Sequence, residues 1–201
     1  MSTSAAQHSA TKKRSYRLGK RAESREQTRQ RIVEAAVDLH GTLGPARTSV
    51  AQIAQRAGVQ RHTFYAHFPD DRSLWLACSG LAMDRDPLPN VERWAEIAPG
   101  GGRIQLGLEE IYAWFERNEE LTACVLRDAE FHQLTREVAE MRMGPTFGRA
   151  SELLGEGLCD RPRALLNVAL DFHCWRVLGA RLGNAEAAAL MAETIVRSGQ
   201  T

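Results

Sequence analysis

The clearest structural signal in this chain lies in residues 48–76, which read Thr48-Ser-Val-Ala-Gln-Ile-Ala-Gln-Arg-Ala-Gly-Val-Gln-Arg-His-Thr-Phe-Tyr-Ala-His-Phe-Pro-Asp-Asp-Arg-Ser-Leu-Trp-Leu76. A first helix is predicted because apolar residues recur at steps of three and four. These residues are Val50, Ile53, Ala54 and Ala57. Ser49, followed three residues later by Gln52, is a capping box at its start. Gly58 is expected to end it, because glycine adopts a left-handed conformation freely.

A second short helix is predicted directly after this glycine turn. Phe64 and Phe68 lie four residues apart and therefore on one face. The side chains that point elsewhere are polar or basic, namely Arg61, His62, Thr63, Tyr65 and His67. Two short helices joined by a tight glycine turn, the second with polar and basic side chains, are typical of a helix-turn-helix that enters the major groove of DNA.

The same segment resembles the TetR family of bacterial transcriptional regulators over about residues 25–78. The matching features are Thr48-Ser49-Val50, Ile53-Ala54, Ala57-Gly58-Val59, Thr63-Phe64-Tyr65, His67-Phe68 and Leu74, with Thr28 to Leu39 and Gly44 upstream. The resemblance implies an all-α fold, in which a three-helix DNA-binding domain precedes a helical ligand-binding and dimerisation domain. It also implies a sequence-specific regulator, in most cases a repressor that a small molecule releases from its operator.

Two positions depart from the family pattern. Gln60 stands where the family usually has a serine that caps the recognition helix. Asp71 stands where the family often has a lysine that reaches the DNA backbone. Since an acid near phosphate is repulsive, that contact is either lost or provided by Arg72.

The predicted DNA-contacting residues follow from these observations. Arg61 and His62 at the start of the recognition helix are predicted to reach bases, because arginine pairs with guanine through two hydrogen bonds. Donors suited to phosphate oxygens are expected from the remaining polar residues, with Tyr65 the best candidate by resemblance. These remaining residues are Thr48, Ser49, Thr63, Tyr65, His67 and Arg72.

Charge is distributed unevenly along the chain. Residues 1–75 hold 13 Lys or Arg against 6 Asp or Glu, and residues 76–201 hold 13 against 19. A net of +7 followed by a net of −6 favours a phosphate-binding module attached to a domain with another task. We predict a disordered basic arm over residues 1–24, a DNA-binding domain over 25–72 and a second domain over 73–201. The arm either touches DNA or is a flexible leader.

The sequence indicates no export or membrane segment. No apolar run follows the N-terminal charges as in a signal peptide, and none reaches membrane-spanning length. A cytoplasmic protein is therefore expected, in which the four cysteines are reduced thiols.

Helical periodicity continues to the end of the chain. Helices are predicted over about 71–81, 104–117, 121–129, 134–143, 147–158, 162–182 and 187–195, with a short turn at 91–98. Gly144-Pro145 is expected to kink or break the helical pattern around it. The helix from Pro162 to Leu182 is apolar on much of its circumference, so a second subunit is expected to cover it and the final helix.

The second domain also holds the residues expected to bind a small-molecule effector. Ligand sites are mostly apolar with a few polar anchors. The candidates are Tyr112, Phe115, Phe147, Phe172 and Trp175. Any one of these residues more often packs in a core than binds a ligand. The prediction therefore concerns the five residues as a group.

Catalysis, a cofactor and a metal site are not expected. The cysteines Cys78, Cys124, Cys159 and Cys174 have no CxxC spacing, and no HExxH motif or phosphate-binding glycine loop occurs. Two other functions remain open. One is a DNA-binding regulator without a small-molecule effector, and the other is a small helical enzyme whose basic end is incidental.

Overall fold

The computed structural model describes residues 4–200, with side chains from Gly19 onward, and it contains helices and no strand over that range. The helices are α1 Ser4–Thr42, α2 Val50–Ala57, α3 Arg61–His67, α4 Asp71–Arg85, α5 Gly101–Arg117, α6 Glu119–Ala129, α7 Gln133–Leu154, α8 Asp160–Ala169, α9 Phe172–Leu182 and α10 Asn184–Ser198. Short 3-10 turns lie at Pro45–Arg47 and Val91–Glu96. The all-α prediction is confirmed.

The first helix is much longer than expected. It extends back to Ser4 and so includes residues 4–24 of the segment for which a disordered arm was predicted. Residues 1–3 of that segment lie outside the described range. No proline precedes Pro45, and the segment is rich in Ala, Gln, Arg and Glu, which are good helix formers. Side chains 19–27 are exposed, so local propensity accounts for this part of α1 and packing does not.

The N-terminal core forms where α1 crosses the two helices of the motif. Ile32 and Ala36 of α1 are fully buried, and they share a cluster with Ile53, Phe64 and Phe68. Burying a side chain of the size of Phe or Ile stabilises the fold by about 1.5–3 kcal/mol. Phe64 and Phe68 anchor one side of α3 in this core. The core therefore fixes the orientation of α3.

The helix α4 belongs to both halves of the molecule. Leu74, Trp75 and Cys78 are buried in the N-terminal core, together with Val138 of α7. The predicted boundary between residues 72 and 73 therefore falls inside a continuous helix. A movement of α4 relative to α7 must act on the helix-turn-helix.

The C-terminal core is built around α5, against which α10 packs. Trp94, Trp114 and Phe115 are almost completely buried there. The buried Arg103 is satisfied by Glu156, 2.6 Å away, and by the carbonyl oxygens of Ile97 and Leu153.

Two helix predictions can be compared with the structure in this half. Helix α7 continues through the exposed Pro145, so of the kink or break that was expected there, the break is wrong. The helix expected from Pro162 to Leu182 is divided into α8 and α9. The Asp171 side chain accepts hydrogen bonds from the backbone N–H groups of His173 (2.8 Å) and Cys174 (3.1 Å). It therefore caps and starts a new helix.

That break changes which apolar residues remain uncovered. Five of the apolar residues between Pro162 and Leu182 pack inside the chain, namely Leu166, Ala169, Leu170, Phe172 and Trp175. Val168, Val177 and Leu190 stay exposed on α8, α9 and α10, at 52%, 65% and 43%. An intermolecular contact here therefore has these three exposed side chains to cover, and not most of the circumference of one long helix.

Candidate DNA interface and ligand cavities

The first helix of the motif has the predicted ends. The Ser49 side chain accepts a hydrogen bond from the backbone N–H of Gln52 (3.3 Å), and the backbone N–H of Ser49 donates to Gln52 Oε1 (2.8 Å). Gly58 is left-handed at φ 65°. The predicted capping box and glycine turn are confirmed, and they hold α3 at a fixed angle to α2.

The recognition helix α3 presents its polar residues to solvent. Arg61 and His62 are exposed, and Tyr65 is 53% exposed while its neighbour Phe64 is buried. In the described part of the chain, no acid pairs with Arg61. Gln60 makes no side-chain cap, as its departure from serine implies. Direct readout of base edges requires free hydrogen-bond donors that a rigid element holds in place. The exposed face of α3 provides both.

The other predicted contact residues are distributed around this helix. The Thr48 hydroxyl donates to the carbonyl oxygen of Gly44 (2.8 Å), and Thr63 lies 3.3 Å from His62 Nε2. Burial lowers the pKa of His67, and the charges of Arg25 and Arg29 lower it further. These effects favour the neutral form of His67, which can still offer a hydrogen bond, although the charge of Glu26 opposes them.

Arg72 faces another part of the molecule. Its Nη1 lies 2.8 Å from Glu137 Oε2 on α7, and this pair lowers the pKa of Glu137. A phosphate contact by Arg72 would require this ion pair to open. The pair instead ties α4 to the second domain, through a partner, Glu137, that the sequence pattern did not single out.

A second tie between the domains rests on a fully buried acid, Asp128 of α6. Its Oδ2 accepts a hydrogen bond from the backbone N–H of Ala46 (2.8 Å), and Arg127 binds its Oδ1 and the carbonyl oxygen of Leu43. Gly44 has φ 99°, and a Cβ there would collide with both side chains. Helix α6 therefore holds the loop that leads into the helix-turn-helix.

Near these ties lies a cavity of about 80 Å³ that is partly open to solvent. It is the more enclosed of two neighbouring cavities and is called the closed cavity for that reason. Its walls come from α4 on one side and from α5, α6 and α7 on the other, with Val37 and Pro45 at the DNA-binding end. The side chains that shape it include Trp75, Cys78, Met83, Trp114, Val138 and Met143. Sequence reasoning missed this site, because its lining residues are far apart in the chain.

A larger, more open cavity of about 280 Å³ lies beside it and shares Ala139 and Met143 as a wall. Three of the five predicted ligand residues line it, namely Phe115, Phe147 and Phe172. Tyr112 and Trp175 line neither cavity. The hydroxyl of Tyr112 donates to the carbonyl oxygen of Ala169 (2.9 Å), and Trp175 Nε1 donates to Asn184 Oδ1 (2.8 Å), so both belong to the core.

Titratable groups beside the closed cavity are held neutral. Burial lowers the pKa of His40 to about 4, although Asp128 opposes the shift. His40 Nδ1 lies 3.5 Å from the Cys78 sulfur, and burial raises the pKa of that thiol to about 12. The four cysteines are unpaired, and the described residues contain no cluster of three metal-ligating side chains. Over the same range, no helix is long and apolar enough to span a bilayer.

A solvent-exposed recognition helix on a basic helical unit, joined through α4 to a second helical domain with cavities, is the arrangement of a helix-turn-helix DNA-binding unit attached to a second domain. Residues 32–78 match the family described as "Bacterial regulatory proteins, tetR family". This match covers the helix-turn-helix and agrees with the resemblance to the TetR family seen in the sequence.

Solved structures show the same fold over the length of the chain. HlyIIR, a hemolysin II transcriptional regulator, is 17% identical, with 86% of this chain and 98% of that chain covered and a TM-score of 0.64. FadR from Bacillus subtilis, in complex with stearoyl-CoA, is 17% identical over 84% and 98%, with a TM-score of 0.54. A tetR-family regulator from Streptomyces coelicolor is 19% identical over 85% and 79%, with a TM-score of 0.56.

Proposed function

We propose that the protein is a cytoplasmic repressor that binds its operator as a homodimer and is released when a small ligand occupies the closed cavity. The observation that carries this proposal is the position of that cavity. Trp75, Cys78 and Ala82 form its wall on α4, the helix that continues from the helix-turn-helix, while Val138 and Met143 form the facing wall on α7. The occupant of such a cavity touches both domains at once.

The small volume of the cavity explains how ligand binding and operator binding would be coupled. An enclosed apolar cavity of about 150 Å³ binds benzene, and this cavity measures about 80 Å³. On this proposal, an occupant that buries even one ring in the cavity pushes α4 and α7 apart. The ligand prefers the widened state and the operator prefers the closed one, so each weakens the binding of the other by the same factor.

The two ties between the domains explain how such a shift reaches DNA. The Arg72–Glu137 pair and the hydrogen bond from Ala46 to Asp128 hold the start of α4 and the entry of α2 to the second domain. A displaced α7 or α6 pulls on these contacts and turns α3 relative to the partner subunit. Two recognition helices fit DNA only at a fixed separation, so rotation weakens binding.

The uncovered apolar side chains support a homodimer through the last helices, α8 to α10. Val168, Val177 and Leu190 are exposed there. Val177→Glu is expected to give a monomer in light scattering, because a charge in an apolar interface is costly. Phe131→Glu is the matched control, as Phe131 is 67% exposed but lies outside these helices. A dimeric Val177→Glu variant would contradict this interface.

Ligand release can be tested without a known ligand by filling the cavity with a side chain. Ala82→Phe places a ring between α4 and α7, and we expect operator affinity to fall about 5- to 150-fold, the usual range of allosteric coupling. The operator is a duplex selected from a random pool by the wild-type chain, and fluorescence anisotropy measures the affinity.

The control is Ala95→Phe, since Ala95 is exposed in the 3-10 turn Val91–Glu96. Circular dichroism verifies that both variants are folded. Unchanged operator affinity in a folded Ala82→Phe variant would mean that the cavity is not coupled to DNA. The protein would then be a regulator without an effector at this site.

A further inference from the structure

The lining of the closed cavity contains one charged residue, Arg142 of α7. The other residues that form the cavity are apolar or neutral, and no aspartate or glutamate is among them. The nearby Cys78 is no counter-charge, because its thiol is protonated. An arginine keeps its proton in any protein environment. A positive charge therefore stands at the edge of an apolar space without an opposing charge in its walls.

The hydrogen bonds of Arg142 do not neutralise it. Its Nε donates to the hydroxyl of Ser79 (3.1 Å) and its Nη2 to the carbonyl oxygen of Leu76 (2.9 Å), both of which are neutral acceptors on α4. The ion pairs of the described residues do not include Arg142, and no hydrogen bond involves its Nη1.

Two other arginines help to place Arg142. The buried Arg103 has Glu156 at 2.6 Å. Arg136 donates, like Arg142, to neutral acceptors, the carbonyl oxygens of Ala129 and Glu130. The open cavity that Arg136 lines has two acids in its lining as well, Glu140 and Asp171. Of these two neighbouring cavities, the closed one has a basic side chain and no acid in its lining.

We propose that the closed cavity binds a small organic monoanion, a carboxylate carried on an aromatic ring or short alkyl chain, and that Arg142 binds its carboxylate. The proposal deepens the proposed function, since it names the chemical class of the effector at that site. Guanidinium and carboxylate match in a two-bond geometry, which makes this pair stronger than neutral hydrogen bonds. Trp75, Trp114 and Val138 supply apolar contacts for the body of the ligand.

The same pairing explains how the anion would act on DNA binding. Arg142 now ties α7 to α4 through Leu76 and Ser79, and a carboxylate competes for these donors. Met143 lines both cavities. Its flexible, unbranched side chain can move to admit a ligand without a break in the helix.

The experiment uses pairs of compounds that differ only in charge. Benzoate and benzamide, and hexanoate and hexanamide, are titrated into the full-length protein while tryptophan fluorescence is recorded, since Trp75 and Trp114 line the site. We expect each acid to bind at least about tenfold more tightly than its amide, a difference of 1.4 kcal/mol. Arg142→Met should abolish this preference, and Arg142→Lys should retain part of it because lysine keeps the charge.

Arg136→Met is the matched control, because Arg136 lies on the same helix but lines the open cavity. Loss of the acid preference in Arg136→Met and not in Arg142→Met would overturn the proposal, as would equal binding of acid and amide by the wild type. If Arg142→Met does not fold, the preference of the wild type for the acid over its amide, and its partial loss in Arg142→Lys, still test the proposal.

Operator release, followed by anisotropy in the same titrations, separates this inference from the proposed function. Amides that bind and release DNA as well as the acids do would overturn the anionic class and leave the ligand-released repressor intact. An acid that binds through Arg142 without releasing DNA would support the ligand class and contradict the regulatory role.

Discussion

The recognition helix and the domain junction of this protein are built in opposite ways. On α3, Arg61, His62 and Tyr65 are exposed, and their positions depend on the spacing of Phe64 and Phe68 on the opposite face. At the junction, the decisive group is a buried carboxylate, that of Asp128, whose partner Ala46 is 82 residues away in sequence. The first region is made to contact another molecule, and the second to hold two parts of the same chain together.

This difference separates two kinds of mutational effect. Changes on the exposed face of α3 should alter DNA binding and leave the free energy of unfolding almost unchanged. Changes at the junction should alter stability first, because buried polar groups there lose partners that water cannot replace. Four variants test that separation, from the largest expected effect to the smallest.

Asp128→Ala should have the largest effect. It leaves the backbone N–H of Ala46 and the Nε of Arg127 without their acceptor, and we expect the free energy of unfolding to fall by about 3 kcal/mol. Urea denaturation measures this, with the exposed Asp84→Ala as control, expected within about 0.5 kcal/mol of the wild type. A loss of similar size in both variants would mean that Asp128 has no special role at the junction.

Arg61→Ala should affect DNA and not stability. We expect operator binding to weaken by about 2 kcal/mol per half-site, with relaxed preference at one base pair, because a side chain that reads a base is lost. Arg56→Ala is the control, since Arg56 is already paired with Asp38 (2.9 Å). If Arg61→Ala weakened binding to operator and random DNA equally, Arg61 would be a phosphate contact.

The buried His40 should make the junction sensitive to acid. Its pKa is about 4 in the folded protein against 6.5 in the unfolded chain, so the unfolded state binds more protons between these values. Stability is therefore lost as pH falls from 6.5 towards 4, by about 2 kcal/mol between pH 7 and pH 5 for this group alone.

The comparison of wild type with His40→Gln isolates this contribution, because other groups titrate equally in both. Urea denaturation at the two pH values should show a smaller loss in His40→Gln, whereas the exposed His173→Gln should lose as much as the wild type. An identical pH dependence in wild type and His40→Gln would place the acid sensitivity elsewhere.

Tyr65→Phe should have the smallest effect. It removes a hydroxyl suited to a phosphate oxygen, and we expect a loss of about 1 kcal/mol that is the same on operator and random DNA. Thermal unfolding should not change, since Tyr65 is exposed and Phe64 anchors the helix. A destabilised variant would show that Tyr65 contributes to packing instead.

The local features of the motif were predictable because they depend on neighbours in sequence. The capping box at Ser49, the glycine turn at Gly58 and the two faces of α3 all follow from residues no more than four positions apart. The same local reasoning missed two features. The Asp171 side chain starts a new helix within an apolar run. Helical propensity extends α1 to Ser4 although that segment is charged and polar.

The amino-acid sequence by itself determined the all-helical class, the helix-turn-helix and the side chains that α3 presents, since backbone hydrogen bonds and helical periodicity are local. The tertiary structure alone decided that Asp128 holds the loop at Ala46, that Arg72 faces Glu137 and that Arg142 stands without an acid beside a closed cavity. These contacts join residues more than 60 positions apart. They exist only because α6 and α7 pack against α1 and α4, and no local pattern encodes that arrangement.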